Sequence, residues 1–320
     1  MRALTATSYD GPAAMTVTEH DVPRPGSGQV AIDVTHAGLG FVDGMFASGF
    51  MRMPLPYVPG LEVVGTVRAL GEGVDGPEPG HQVAALLMPG GRGCGDVVVA
   101  PADLVVPVPA DLDPVTAAAT CTNTITALAA LERIGSLGGA RVLVHAGVGG
   151  VGSQFGQVAR VLGAEHVGAV VGSPSKAQAA TALGYDAVYL REDMAQVPTG
   201  AWDLVVDPVG GGATRAGLEQ VAAFGTLLRV GNASREEPVQ IDSLDLWLRG
   251  VAVVGFNLGG WALGYPAQTG SHLRRALELV ANETVRVEVT RQVPLAQAGN
   301  ALQDVLDGRT RGKVVAVLRG

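Results

Sequence analysis

The run from Arg141 to Gly152, RVLVHAGVGGVG, passes from β-branched residues into glycines and then into a helix-forming segment, SQFGQVARVLGA. Gly147, Gly149 and Gly152 spell G-x-G-x-x-G, and each glycine meets a steric demand, namely a tight turn, close approach of backbone to a pyrophosphate, and close packing of helix on strand. A helix starting there aims unpaired N–H groups and the positive end of its dipole at phosphate, with Gly149, Gly150, Val151 and Gly152 nearest. In a chain of 46 glycines such a motif is weak by itself, and its context is what strengthens it. A second strand, HVGAVV over 166–171, follows at the spacing of a β-α-β unit, and Gly172 stands where an acidic residue would hold the ribose of NAD. Ser173, Pro174, Ser175 and Lys176 come next. Hydroxyls and a cation without a carboxylate suit a 2′-phosphate, so this edge predicts NADPH as cofactor rather than NADH.

A second stretch, MFASGFMRM over 45–53, is dense in methionine and phenylalanine. Met45, Phe50, Met51 and Met53 suit an adaptable apolar pocket wall, and plain core packing is the open alternative, because methionine fills gaps anywhere. Arg52 within the run can meet a carboxylate or a phosphate, or simply be solvated. Tyr57 carries the nearest hydroxyl and is a candidate proton donor, the alternative being a packed tyrosine before Pro59.

The elements that must position these groups fall into two kinds. From Met1 to about residue 118, short alternating runs such as QVAIDVTHAG and EVVGTVRALG are broken by Gly and Pro, which predicts a small antiparallel barrel or sandwich. DPVTAAATCTNTITALAALER over 113–133 reads as a helix with Asp113 as N-cap and Pro114 in its first turn. Strands are then predicted at 141–145, 167–171, 187–190, 203–206, 226–230 and 252–255 with helices between them, a doubly wound parallel sheet. Two helical patterns and a last strand, KVVAVLRG, complete the chain. The domains expected are 119–258 for nucleotide binding and 1–118 with 259–320 for substrate, an α/β enzyme with its site in the cleft.

With 320 residues, 47% hydrophobic and 16% charged, the chain is globular, and a net charge of −8 argues against nucleic acid as a main partner. No apolar run is long enough to span a bilayer, and the first residues lack a signal-peptide pattern, so a cytoplasmic protein is expected. Cys94 and Cys121 form neither a disulfide framework nor a metal-ligand spacing. Only two of the 22 basic residues are lysines, Lys176 and Lys313.

His36-Ala37-Gly38-Leu39-Gly40-Phe41-Val42-Asp43, Pro59-Gly60-Leu61-Glu62, Pro101-Ala102-Asp103, the glycine turn and Gly312-Lys313-Val314 occur in the order found in medium-chain dehydrogenases/reductases. Nearly the whole chain resembles the zinc-free quinone oxidoreductases related to ζ-crystallin. The resemblance implies a GroES-like β-barrel catalytic domain, a Rossmann domain, and NADPH-dependent hydride transfer to a small apolar quinone or enone. It places Gly40, Leu61 and Thr122 where zinc-dependent relatives carry metal ligands, so no metal is expected. It assigns Gly149 to Gly152 to the pyrophosphate, Ser173, Lys176 and Tyr189 to the 2′-phosphate with Arg191 assisting, Thr126 to the nicotinamide end, and Lys313 to the cofactor. Gly231 and Asn232 follow the fifth strand and Phe256 and Asn257 the sixth, at the carboxyl ends where such sheets bind ligands. Many zinc-free members carry Asn at the position of Gly40 and tyrosines at those of Met45 and Met51. Those losses leave an enoyl-thioester or polyketide-intermediate reductase open as a second reading, and a non-catalytic crystallin-like or RNA-binding protein as a third. A homodimer is expected through the sixth strand, Val251 to Leu258, whose edge would otherwise expose backbone and apolar side chains.

Overall fold

The computed structural model describes residues 1–319. In chain order the first elements are β1 (Arg2–Thr5), β2 (Thr16–Glu19), β3 (Gln29–Leu39), α1 (Phe41–Ala47), β4 (Glu62–Leu70), β5 (Gln82–Leu86), β6 (Val97–Pro101), β7 (Val105–Pro107) and α2 (Pro114–Ile134). There follow β8 (Arg141–His145), α3 (Gly152–Val161), β9 (His166–Val171), α4 (Pro174–Ala182), β10 (Ala187–Leu190), β11 (Trp202–Asp207), α5 (Gly212–Gln220), β12 (Val221–Arg229), α6 (Ser243–Arg249) and β13 (Ala252–Gly255). The last are α7 (Leu258–Gly264), α8 (Pro266–Ala281), β14 (Val289–Pro294), α9 (Ala298–Leu306) and β15 (Lys313–Val317). Two compact units result, Met1–Ile125 with the residues from Leu258 onward, and Thr126–Asn257. The division falls within α2.

The first unit is built on β3. Its first half, Gln29–Asp33, pairs with β6, and its second half, His36–Leu39, pairs with β15, while β4 runs along its other side. The change of partner coincides with a register shift against β4 between Val34 and His36, and such an irregularity bends a strand. Gly65 sits opposite, where a Cβ would lie 2.1 Å from the Asp33 carbonyl oxygen. The sheet order is β14-β15-β3-β4-β5-β7, with only β14 and β15 parallel. Val30, Ile32, Val34, Val63 and Val83 fill its core.

The second unit is a six-stranded, wholly parallel sheet in the order β10-β9-β8-β11-β12-β13. Two β-α-β halves start outward from β8 and β11, so the carboxyl ends of those neighbours are the switch point at which such sheets take ligands. Leu143, Val170, Val205 and Leu227 pack with the fully buried Trp202. Five of the six strands lie within one residue of expectation. β12 begins at Val221 instead of 226, because 221–225 contains a register irregularity against β11.

Candidate functional site

The glycine turn joins β8 to α3. Gly147 donates to the Val170 carbonyl at 3.1 Å and Gly149 to the Ala146 carbonyl at 2.8 Å, closing the turn before α3 begins at Gly152. A Cβ on Gly152 would lie 2.2 Å from the Ala146 oxygen, and one on Gly147 would lie 2.6 Å from the Ala169 methyl. Tyr185 supports the turn from inside: its buried hydroxyl lies 2.8 Å from the Gly147 oxygen and 2.9 Å from the Gly152 oxygen. The amides of Gly150 and Val151 have no protein acceptor among the described residues, as expected of a helix start that serves an anion.

At the end of β9, Ser173 caps α4 by accepting from the Lys176 amide at 3.4 Å, with Pro174 in the first turn. A side chain on Gly172 would begin 3.7 Å from an Arg191 guanidinium nitrogen. Glycine therefore leaves that guanidinium facing open space where an acid would have paired with it. Among the described residues neither Arg191, just past β10, nor Lys176, in the first turn of α4, has a carboxylate partner. Tyr189 departs from expectation. Its ring stands edge-on to Trp202 with centroids 6.3 Å apart and packs with the sheet core, whereas the Arg191 guanidinium lies beside Gly172.

Beyond β11, Asp207 organises the neighbouring loop. Its Oδ1 accepts from the Val209 and Gly210 amides at 2.8 and 2.9 Å, and its Oδ2 accepts from the Thr214 hydroxyl at 2.6 Å and pairs with Arg229. Burial pushes this carboxyl up, but the Thr214 and Gly210 hydrogen bonds, the Arg229 charge and the Val209 amide outweigh it and hold the group below the usual range. Gly231 and Asn232 knit this loop to the end of β12: a Cβ on Gly231 would meet the Pro208 oxygen at 2.8 Å, and one on Gly210 would meet Asn232 Oδ1 at 2.0 Å. Phe256 is buried and donates its amide to Arg229, and Asn257 is exposed beside it. Thr126 is buried on α2.

In the first unit, Gly40 is the N-cap of α1 and its amide donates to Asp43 Oδ2 at 3.1 Å. Asp43 is fully buried; its Oδ1 accepts from the Gly60 amide at 2.8 Å and the Tyr57 hydroxyl at 3.2 Å. Burial raises its carboxyl to about 6 despite the Gly60 and Gly40 hydrogen bonds. Tyr57 is 5% exposed, and burial pushes its phenol up, with the Asp43 charge adding to the effect. A buried phenol that already donates to a carboxylate fits the packed-tyrosine alternative. The methionine stretch divides likewise: Met45 is buried, Met53 packs against the core, and Phe50 and Met51 are 45% and 37% exposed.

Lys313 is also corrected. It is buried at the start of β15 and forms an ion pair with Glu62, whose other oxygen accepts from the Thr122 amide at 2.6 Å. Gly38, opposite Glu62 in the β3–β4 register, leaves the room that this side chain fills. Lys313 is thus committed to a carboxylate. Cys94 and Cys121 are buried, and burial pushes both thiols up. Among the described residues, no three His, Cys, Asp or Glu side chains gather as a metal group, and no helix is long and apolar enough to cross a membrane.

Residues 26–110 match the alcohol dehydrogenase GroES-like domain model, and residues 150–281 match the zinc-binding dehydrogenase model. A quinone oxidoreductase of Pseudomonas aeruginosa is 30% identical over 319 residues, covering 96% of this chain and 97% of that protein. The chain belongs to the quinone oxidoreductase-like medium-chain dehydrogenases/reductases. Among solved members of the family, a mycobacterial protein complexed with NADPH aligns at 30% identity and TM-score 0.88 over 99% of this chain and all of the other. A polyketide synthase subunit of Mycobacterium tuberculosis, named for phenolphthiocerol and phthiocerol, is 30% identical over 94% of this chain, which spans 14% of that synthase.

Sequence reasoning singled out the glycines of this reductase fold and missed the roles of the carboxylates. Asp43 carried one available signal, an acid three residues after a glycine at a helix start. Asp207 was marked by its place at the end of the fourth strand, whereas Glu62 and Tyr185 carried no signal, since their partners lie elsewhere in the sequence.

Proposed function

We propose that this chain is an NADPH-dependent reductase delivering hydride, without a metal ion, to a quinone or an α,β-unsaturated carbonyl. The observation that carries the reading is the Arg191 guanidinium beside side-chain-free Gly172, with Lys176 in the first turn of the helix that follows Gly172. The residues present fit the dinucleotide: the Gly150 and Val151 amides lack protein acceptors, Gly152 leaves room for close backbone approach, and two unpaired cations await a 2′-phosphate. Bound there, the cofactor supplies hydride from its nicotinamide ring. Ser173, Lys176 and Arg191 hold the 2′-phosphate, the turn amides hold the pyrophosphate, and Asp207 fixes the loop beside them. Thr126, Phe256 and Asn257 serve the nicotinamide end. The exposed Phe50 and Met51 offer an apolar wall to the acceptor.

Gly40, Leu61 and Thr122 supply no zinc donor set of the usual kind, which favours an acceptor that takes hydride at carbon over one needing a strongly polarised carbonyl. Likeness to a polyketide synthase segment supports a second reading, reduction of enoyl thioesters by the same site chemistry. The test is NADPH oxidation with 1,4-naphthoquinone, a linear enone and crotonyl-coenzyme A. Turnover of the quinone or enone is expected. Turnover confined to the thioester selects the second reading, and turnover of none overturns both.

The same proposal includes a homodimer. β13 is an edge strand with Ala252 and Gly255 exposed, and pairing with a symmetry mate would satisfy its open backbone groups. Sedimentation at micromolar concentration is expected to give twice the chain mass, and a strictly monomeric mass would overturn the dimer.

A further inference from the structure

The chain between α1 and Tyr57, residues 48–56, carries three of the large apolar side chains exposed in the first unit, Phe50, Met51 and Leu55. The loop is tethered at few points. Its first turn folds back on α1 through the Phe50 amide to the Met45 oxygen at 3.1 Å, and the Tyr9 hydroxyl donates to the Met53 oxygen at 2.6 Å. Arg52 lies over the Tyr9 ring, 5.5 Å from its centroid. Asp43, on the helix from which the loop leaves, binds the chain to which the loop returns. One carboxylate oxygen accepts from Gly40 at the start of α1, and the other accepts from Tyr57 and Gly60 just past the loop.

We propose that Asp43 is a positioning residue for the acceptor substrate: from α1, which leads into the 48–56 loop, its carboxylate holds Tyr57 and Gly60, to which the loop returns, and so fixes the apolar lip of Phe50, Met51 and Leu55 that an apolar quinone or enone contacts. This rests on the reductase reading. A buried carboxylate is a costly way to join two segments, since an apolar contact of similar volume would stabilise the fold at least as well. What a carboxylate adds is direction, because three donors must converge on two oxygens. The adjacent Phe46 and Tyr57 rings, edge to face with centroids 5.6 Å apart, support the contact without fixing its register.

The clasp depends on charge. A neutral carboxyl has one acceptor fewer and a proton that opposes one of the three donors. Asp43, raised to about 6 by burial, takes that proton as pH falls through about 6. The other titratable groups facing it are Tyr57 and Cys94, both pushed up by burial and neutral throughout, and the Lys313 and Glu62 ion pair. The loosened lip at low pH should therefore weaken acceptor binding and leave NADPH binding unchanged.

The experiment measures KM and kcat for 1,4-naphthoquinone from pH 5 to 8, with hydrogen exchange of the Gly40 and Gly60 amides over the same range. In the unmodified enzyme KM is expected to rise about fivefold below pH 6, and the two amides to lose protection relative to intrinsic exchange. In Asp43→Asn, KM is expected about tenfold higher at pH 7.5 and flat with pH, with kcat within about twofold and the NADPH dissociation constant unchanged. A KM in the unmodified enzyme that is flat across pH 6, or a folded Asp43→Asn with unaltered KM, overturns the proposal. A fall in kcat at constant KM overturns it too, because that places Asp43 in proton delivery. Should no acceptor be reduced at all, the reductase reading fails, and the hydrogen-exchange arm still reads the clasp without any variant.

Discussion

The Gly147 to Gly152 turn and the Asp43 clasp solve similar problems with opposite means. At the turn, backbone amides are left open, and the sequence contributes chiefly by omitting side chains, so that Gly152 lies where a Cβ would strike a carbonyl at 2.2 Å. At the clasp, backbone amides are bound by a side chain whose charge is buried among them. A site made of omissions is rigid and insensitive to pH, whereas a site made of one buried charge is directional and titrates. Adding a methyl should therefore damage the first, and neutralising a carboxylate should loosen the second.

The largest effect is expected from Gly152→Ala. Overpacking of this kind costs about 1–3 kcal/mol, which corresponds to about a hundredfold at its upper end. Since the methyl would displace the turn, NADPH and NADH affinities should fall together in calorimetric titration. Loss of only one of them would mean that the turn is not the pyrophosphate seat.

Arg191→Ala comes next and sharpens the contrast, because it removes a side-chain contribution from a site otherwise built of backbone. A charge-assisted hydrogen bond to phosphate is worth roughly 1.5–3 kcal/mol, so NADPH affinity should fall about ten- to a hundredfold with NADH nearly unchanged. Lys176→Ala should act in the same direction and by less, about tenfold, as a flexible ammonium is a point charge rather than a fork. Equal weakening of both cofactors would assign these cations to the adenine pocket or to the fold.

The smallest effect is expected from the Tyr57 hydroxyl of the clasp. Tyr57→Phe removes one donor of three and should cost about 1 kcal/mol of stability in urea unfolding, with kcat within about twofold. A proton donor would instead lose about a hundredfold or more in kcat. A loss of that size in a stably folded variant would restore Tyr57 as the acid.

The contrast also explains what could be read from the chain. The six parallel strands were legible because each is a short β-branched run bounded by glycine or a helix signal, and the phosphate turn because its glycines are contiguous. Gly172 was legible as an absence. Arg191 was named by the resemblance, but its position beside Gly172 was not legible in the residues themselves, since a helix and a strand separate the two. The packing of Tyr189 on Trp202 was not legible, because β10 is four residues long and half-buried throughout, too short for alternation to tell which face its ring takes. Lys313 misled for a different reason: its partner Glu62 is 251 residues away, and no local pattern marks a buried ion pair. Asp43, Tyr57 and Gly60 are close in sequence, yet their convergence depends on the path of an irregular loop. Methionine and phenylalanine gave the composition of that loop correctly but not its sorting into buried Met45 and exposed Phe50 and Met51.

The most direct test of the cofactor site is the ratio of kcat/KM for NADPH over NADH, measured at 340 nm with saturating 1,4-naphthoquinone. If Lys176 and Arg191 hold the 2′-phosphate as proposed, the ratio should exceed about ten and fall toward one in the Arg191→Ala, Lys176→Ala double variant. A ratio at or below one in the unmodified enzyme, or no oxidation of either cofactor, would contradict it.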